Sequence, residues 1–307
     1  AAAGRKDRSG EKDENINSEI ESSEESLVCV TSGVSYLGMA IVNQLRFRGY
    51  SVRIIVDNEE DLEKLTEIDG GAGVELAVAK FGDVESLVRA FHGAVAVFHT
   101  AGFVDPSGIS GYTKSMVEVE VKGTENVMRA SEMSGSVRYC VLTSSLVACV
   151  WRDDDRRIII DHNSWSDHSY CAAKKLWYAL GKLKMEKAAT EMAQQLGLKL
   201  GTICCGLIRD GPHSIAYLKG AREMYARGVV AAVDDVRTLA EAHALVFEEM
   251  KKKKNGSGSG RYVWYDRVIE DDVELRKLGD EAGVDLSRAA TADGGANRRF
   301  RLSKARL

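Results

Sequence analysis

Two stretches of this chain place a lysine four residues after a tyrosine: Tyr170-Cys171-Ala172-Ala173-Lys174 and Tyr178-Ala179-Leu180-Gly181-Lys182. On a helix, positions four apart share a face, so each ammonium can sit beside its phenol. A phenol whose pKa is lowered by such a neighbour can hand a proton to a developing alkoxide, as carbonyl reduction requires. The two tyrosines are eight residues apart, about 12 Å along a single helix, so both cannot serve one reacting centre. Local spacing leaves the choice open. A hydroxyl able to hold a substrate oxygen is offered by Val141-Leu142-Thr143-Ser144-Ser145, where an apolar run ends in two serines. Near the other end, Thr31-Ser32-Gly33-Val34-Ser35-Tyr36-Leu37-Gly38 follows the first apolar run. Strand, tight turn and helix N-terminus make the arrangement that receives a phosphate.

The elements that must carry these groups alternate along the chain. Strands are expected at 27–31, 51–56, 74–79, 94–99, 137–143 and 199–204, with helices at 37–48, 60–65, 84–91, 112–133 and 172–196. Alternation at this spacing predicts a parallel sheet with helices on both faces, and right-handed crossovers make it doubly wound. The expected fold class is α/β, a Rossmann-type doubly wound parallel sheet with a smaller C-terminal α/β substrate region. We divide the chain into a disordered polar tail at 1–26, an NAD(P)-binding domain at 27–210, a substrate-binding region at 211–287 and a poorly ordered tail at 288–307. The third part should hold helices near 215–226 and 236–249, strands at 229–233 and 261–266, and a flexible surface loop at 251–260.

Composition narrows the function. A net charge of −4 gives no basis for a nucleic-acid partner. No window approaches the ~18 apolar residues of a membrane span, and no apolar leader opens the chain. Six cysteines without a CxxC pair, most in apolar runs, read as buried thiols in a reducing cytoplasm. No metal-ligand spacing is found. The chain begins at Ala1, not Met, and stops just after a basic segment, so a fragment is expected.

The Thr31–Gly38 stretch resembles the TGxxGxxG turn of the extended short-chain dehydrogenase/reductases, with Ser32 and Ser35 replacing the first two glycines. Cys171 through Tyr178, together with Asp161 and Ser164-Trp165-Ser166-Asp167, resembles the plant dihydroflavonol reductase and cinnamoyl-CoA reductase group. The resemblance covers about 27–266. It implies an NAD(P)-dependent oxidoreductase acting on the carbonyl or alcohol of a small phenylpropanoid-like or flavonoid-like molecule. It selects Tyr178 as general acid and Lys182 as the group that lowers its pKa and holds the ribose. Ser145, thirty-three residues before Tyr178, becomes the hydroxyl for the substrate oxygen. Tyr170 and Lys174 are then helix-start surface residues.

On the cofactor side the resemblance implies contacts from Ser32, Gly33, Ser35, Tyr36, Leu37 and Gly38, from Asp83 and Val84 near the adenine, and from Thr100 and Ala101 after the fourth strand. His99 is expected beside the cofactor at the sheet edge. Each glycine of such a turn has a task, and a positive φ at Ser32 would cost about 1–2 kcal/mol. Asp57 ends the second strand where many relatives carry an arginine for the 2′-phosphate. A carboxylate there accepts hydrogen bonds from ribose hydroxyls, so NADP or NAD is the expected cofactor, with a shift toward NAD. In the competing reading Asp57 faces water and Arg53 or another base meets the phosphate.

The chain departs from the group elsewhere. Cys204-Cys205-Gly206 lacks a proline expected beside the nicotinamide, and an asparagine that braces the active site falls at Glu120. The basic cluster that would meet a CoA phosphate is missing, which argues against a CoA thioester. The substrate pocket is expected between the sheet's carboxyl edge and the C-terminal portion, lined by residues after Ser145, by 103–111 and by 215–219. A small-molecule carbonyl or alcohol is the expected partner of a monomer, with no nucleic acid and no membrane. Two other readings use the same scaffold: a nucleotide-binding interaction protein with weak or lost catalysis, and a nucleotide-sugar epimerase or dehydratase.

Overall fold

The structure is a computed structural model that describes residues 27–57, 74–100, 112–153, 158–209, 219–253, 258–281, 283, 285 and 300–304. Its strands are β1 (Leu27–Thr31), β2 (Ser51–Val56), β3 (Val74–Val78), β4 (Ala96–His99), β5 (Tyr139–Ser145), β6 (Ile158–Ile160), β7 (Lys199–Cys205), β8 (Leu207–Ile208), β9 (Ala231–Val233), β10 (Gly260–Trp264), β11 (Arg267–Val268) and β12 (Phe300–Leu302). Its helices are α1 (Tyr36–Phe47), α2 (Val84–Phe91), α3 (Lys114–Met133), α4 (Val147–Val150), α5 (His168–Ala173), α6 (Trp177–Leu196), α7 (Ala221–Arg227), α8 (Val236–Lys252) and α9 (Asp272–Glu281).

Seven strands form one parallel sheet in the order β3-β2-β1-β4-β5-β7-β10. Successive side chains of a strand point to opposite faces, and here both faces are covered. Val28 and Val30 of β1 pack with α1 and α8, through Ile41, Leu45, Leu239 and Phe247. Cys29 packs on the other face with α2, α3 and α6, through Leu87, Val127 and Met185. The α/β doubly wound expectation is therefore met. The order reverses between β1 and β4, and open sheets of this kind receive ligands at the carboxyl ends beside that reversal. A third apolar cluster, built around Trp151, Leu176, Met224 and Leu275, joins the smaller elements. They include the mixed sheet β11-β9-β8 and the parallel pair β12-β6.

Several boundaries differ from expectation. The helix expected over 172–196 is broken, because Lys175 adopts a φ of 55° and Leu176 is drawn into the core at 7% exposure. The fifth strand runs on to Ser145, so both serines end inside it. The basic run at 251–252 continues α8 rather than starting a loop. Part of the tail expected to lack order is a strand, since Phe300–Leu302 pairs with Ile158–Ile160. The strand β10 and helix α8 come from 211–287 yet complete the main sheet and cover one of its faces. The helix expected at 60–65 and the tail at 1–26 lie outside the described residues.

Candidate active site

The phosphate-side turn leaves β1 at Thr31. Ser32 has a φ of 51°, so the left-handed strain anticipated for a serine there is present. Gly33, beside the replaced position, and Gly38, the retained motif glycine, stand where a side chain would not fit. A Cβ on Gly33 would lie 2.7 Å from Cγ2 of Ile54, and one on Gly38 would collide with the Ser32 carbonyl oxygen. Ser35 needs no such freedom. It is the N-cap of α1 with extended backbone, and its Oγ accepts the Gly38 N–H at 3.1 Å. Tyr36 and Leu37 open the helix, the first exposed and the second buried.

At the sheet reversal, the Thr31 hydroxyl lies 2.9 Å from Nδ1 of His99 and accepts the Thr100 N–H at 3.2 Å. The Thr100 hydroxyl returns a bond to the Thr31 carbonyl. Burial, reinforced by the Lys182 charge, pushes the His99 pKa down to about 3, so the imidazole is neutral. Asp57 is exposed at the end of β2 and accepts the Phe81 N–H at 3.4 Å. Arg53 is engaged with Glu75 and with the Ala90 and His92 carbonyls, each at 2.8 Å, away from Asp57. The Asp83 carboxylate caps α2 through the N–H groups of Glu85 and Ser86, and Val84 is that helix's first residue. Ala101 lies outside the described residues, as do 103–111 and 215–218 of the expected pocket.

The second cluster assembles from three elements and the segment just before one of them. Ser145 ends β5 and is 2% exposed. It lies close enough to the Tyr178 phenol, in the first turn of α6, to favour its charged form. One turn on, the Lys182 Nζ lies 5.6 Å from the Tyr178 ring centroid. The structure thus brings Ser145, Tyr178 and Lys182 together. Two more groups complete it: Glu120, which the resemblance put at the position of an active-site asparagine, and Tyr112, which the sequence did not single out. Glu120 of α3, 1% exposed, pairs with Lys182 at 2.5 Å. The Tyr112 hydroxyl donates to that carboxylate, and its ring meets Tyr178 edge-on at 5.4 Å. Gly181 makes the room, since a Cβ there would collide with the Tyr112 hydroxyl.

The electrostatics act on the Tyr178 phenol in both directions. Burial raises the Tyr178 pKa and Lys182 lowers it, but Glu120 and Cys205 push upward, and the net direction is up. For Lys182 itself, burial disfavours the ammonium, while Glu120 and Tyr178 more than reverse this and hold it above its ordinary value.

Behind Ser145 lies a buried support. The Ser144 hydroxyl donates to Glu186, whose carboxylate pairs with Arg261 Nε at 2.7 Å. Arg261 also donates to the carbonyls of His162 (3.0 Å) and Ser164 (2.6 Å), and lies 3.7 Å from the Trp165 ring centroid. This explains the Trp-containing loop as a lid on a buried ion pair. An arginine inside the apolar run Arg261-Tyr262-Val263-Trp264 was the available signal in sequence. Among the described residues no group of three or more His, Cys, Asp or Glu is placed to hold a metal, and no helix is long and apolar enough to cross a membrane.

Residues 29–205 match the 3-beta hydroxysteroid dehydrogenase/isomerase family. The chain is 35% identical over 267 residues to cinnamoyl-CoA reductase 1 of Petunia hybrida, covering 81% of this chain and 76% of that protein. It resembles the crystal structure of vestitone reductase from alfalfa (Medicago sativa) with a TM-score of 0.65 at 24% identity, covering 91% of this chain and 90% of that one. The yeast methylglyoxal/isovaleraldehyde reductase complexed with NADPH is similar with a TM-score of 0.69 at 17% identity, each chain covered to 91%.

Proposed function

The chain belongs to the 3-beta hydroxysteroid dehydrogenase/isomerase family, and we propose that within it Tyr178, Ser145 and Lys182 carry out the proton chemistry of an NAD(P)-dependent carbonyl reduction. The protein is an NAD(P)-dependent oxidoreductase, and its substrate is a small phenylpropanoid-like or flavonoid-like carbonyl or alcohol. The observation that carries the assignment is the buried Lys182 ammonium 5.6 Å from the Tyr178 ring centroid, with buried Ser145 beside the phenol.

The cofactor fits the residues present: a turn whose two glycines admit no Cβ opens α1 beside the sheet reversal. Ser32, Gly33, Ser35, Tyr36, Leu37 and Gly38 would hold its phosphates at the helix N-terminus, with Thr100 and Val84 flanking it. When bound, the nicotinamide supplies the hydride. Ser145 holds the substrate oxygen by its hydroxyl. Tyr178 then gives its proton to the developing alkoxide, a step worth typically 10²–10⁴-fold when the donor is positioned. Neutral His99 keeps a second cation out of the site. An exposed Asp57, with Arg53 engaged elsewhere, favours NADH over NADPH. Six buried free cysteines fit a reducing, cytoplasmic setting, with the protein acting as a monomer.

The test is oxidation of NADH and NADPH in the presence of hydroxycinnamaldehydes, aryl ketones and dihydroflavonols, alongside thermal shifts with each cofactor. Cofactor at 100 times its Kd should add about 2.7 kcal/mol of stability. Turnover of any of these carbonyls is the expected result. The Glu120–Lys182 pair favours a second reading, a nucleotide-binding protein with weak catalysis. Stabilisation without turnover would select it, and a folded sample that binds neither cofactor would end both.

A further inference from the structure

The Tyr178 phenol shares its buried surroundings with several groups that can titrate. They are Tyr112 from the segment just before α3, Glu120 from α3, His99 from β4, Lys182 from α6 and Cys205 from β7. His99 is neutral for the reason given above, and burial pushes the Cys205 thiol up to about 11. Among the described residues that leaves one cation and one anion acting on Tyr178, Lys182 and Glu120. Their contact at 2.5 Å makes a charge-neutral pair, with both partners under 7% exposed. The pair is built in: Tyr112 donates to the carboxylate, and Gly181 is the residue type that leaves space for both.

We propose that Glu120, anchored by Tyr112, is a positioning residue that pins the Lys182 ammonium and cancels its charge at Tyr178, so that the proton-donating form of the site persists into alkaline solution. The proposal rests on the reductase reading. A lysine alone beside a phenol favours the phenolate; a carboxylate on that lysine removes the advantage and adds an anion that the phenolate must face. The direction of the Tyr178 shift agrees with this geometry. Deprotonation to phenolate would place two anions and one cation in a buried site, whereas the phenol leaves the site neutral.

The experiment uses the full chain with carbon-13-labelled tyrosine, the Tyr178 ring carbon being assigned by its loss in Tyr178→Phe. In the wild type that signal should titrate above the ordinary tyrosine value of 10.0. In Glu120→Gln the midpoint should fall by about one pH unit or more. The alkaline limb of kcat/KM for carbonyl reduction should fall by the same amount. Glu120→Asp, which keeps the charge, should restore the high midpoint with a reduced kcat. A merely structural carboxylate would lower activity at every pH and leave the midpoint alone. A wild-type signal that titrates below 10.0, or a Gln variant with an unmoved midpoint, overturns the proposal. The wild-type titration decides even where the Gln variant does not fold. Turnover with an unmoved midpoint removes this inference and spares the reductase reading. A moved midpoint in a protein that reduces no carbonyl leaves Glu120's electrostatic role standing and removes that reading.

Discussion

The two tyrosine–lysine pairs have the same spacing and nearly the same internal geometry. Lys174 lies 5.8 Å from the Tyr170 ring centroid, and Lys182 lies 5.6 Å from that of Tyr178. What differs is what each pair faces. Tyr170 donates to Glu223, has the Arg227 guanidinium 5.7 Å from its ring centroid, and lines an open cavity of about 900 Å³ with Arg152, Asp167 and exposed Lys174. Tyr178 has Ser145 beside its phenol, and its lysine is buried against Glu120. Burial and then Glu223 push the Tyr170 phenol up to about 12, and an arginine rather than a buried lysine reaches its hydroxyl, Arg227 donating at 3.4 Å. Spacing puts a lysine beside a phenol; the opposing element decides whether the pair can do chemistry.

The sharpest way to break this comparison is to remove each hydroxyl in turn. Tyr178→Phe should lower kcat/KM for carbonyl reduction by about 10²–10⁴-fold, while Tyr170→Phe should leave it within about twofold. Equal losses in steady-state assays would mean that the Tyr170 cavity belongs to the substrate site. A smaller effect separates the pairs at the residue before each lysine, Ala173 in one and Gly181 in the other. Ala173 is exposed at the end of α5, but Gly181 faces Tyr112 and Glu120. Gly181→Ala should destabilise by about 1–3 kcal/mol through overpacking, read as a lower urea midpoint. It should also displace Glu120 from Lys182. Ala173→Gly should cost under about 1 kcal/mol. A neutral or stabilising Gly181→Ala would show that the Tyr112 ring can move aside freely.

How much of this was legible before the structure depends on whether a signal was local. The order of strands and helices came through because apolar runs and turns repeat along the chain, and β1 and β2 begin and end where periodicity placed them. The strained Ser32 was legible too, since a serine at a glycine position has a known steric consequence. The break before Tyr178 was not. Residues 172–196 hold no proline and read as one helical stretch, whereas in the fold Lys175 turns to positive φ as Leu176 enters the core. The resemblance put Glu120 at a bracing position, but its ion pair was hidden, because it forms with a lysine sixty-two residues away. The same holds for Arg261 and Glu186, which meet across seventy-five residues.

That break suggests the smallest and most specific prediction. Lys175 and Ser32 are the non-glycine residues with positive φ among those described, and each stands at the approach to one half of the candidate site. Left-handed backbone costs a side-chain-bearing residue about 1–2 kcal/mol. Glycine removes that strain but adds about 0.4–1 kcal/mol of unfolded-state entropy to be lost on folding. Lys175→Gly should therefore stabilise the fold by about 0.5 kcal/mol, seen as a small rise in the denaturant midpoint with an unchanged slope. The lysine is exposed and outside both phenol clusters, so kcat should not move. A drop in kcat at unchanged stability would instead mean that the stiffness of this joint aims Tyr178 at Ser145. The two tyrosine–lysine pairs would then be mechanically coupled through the residue that separates them.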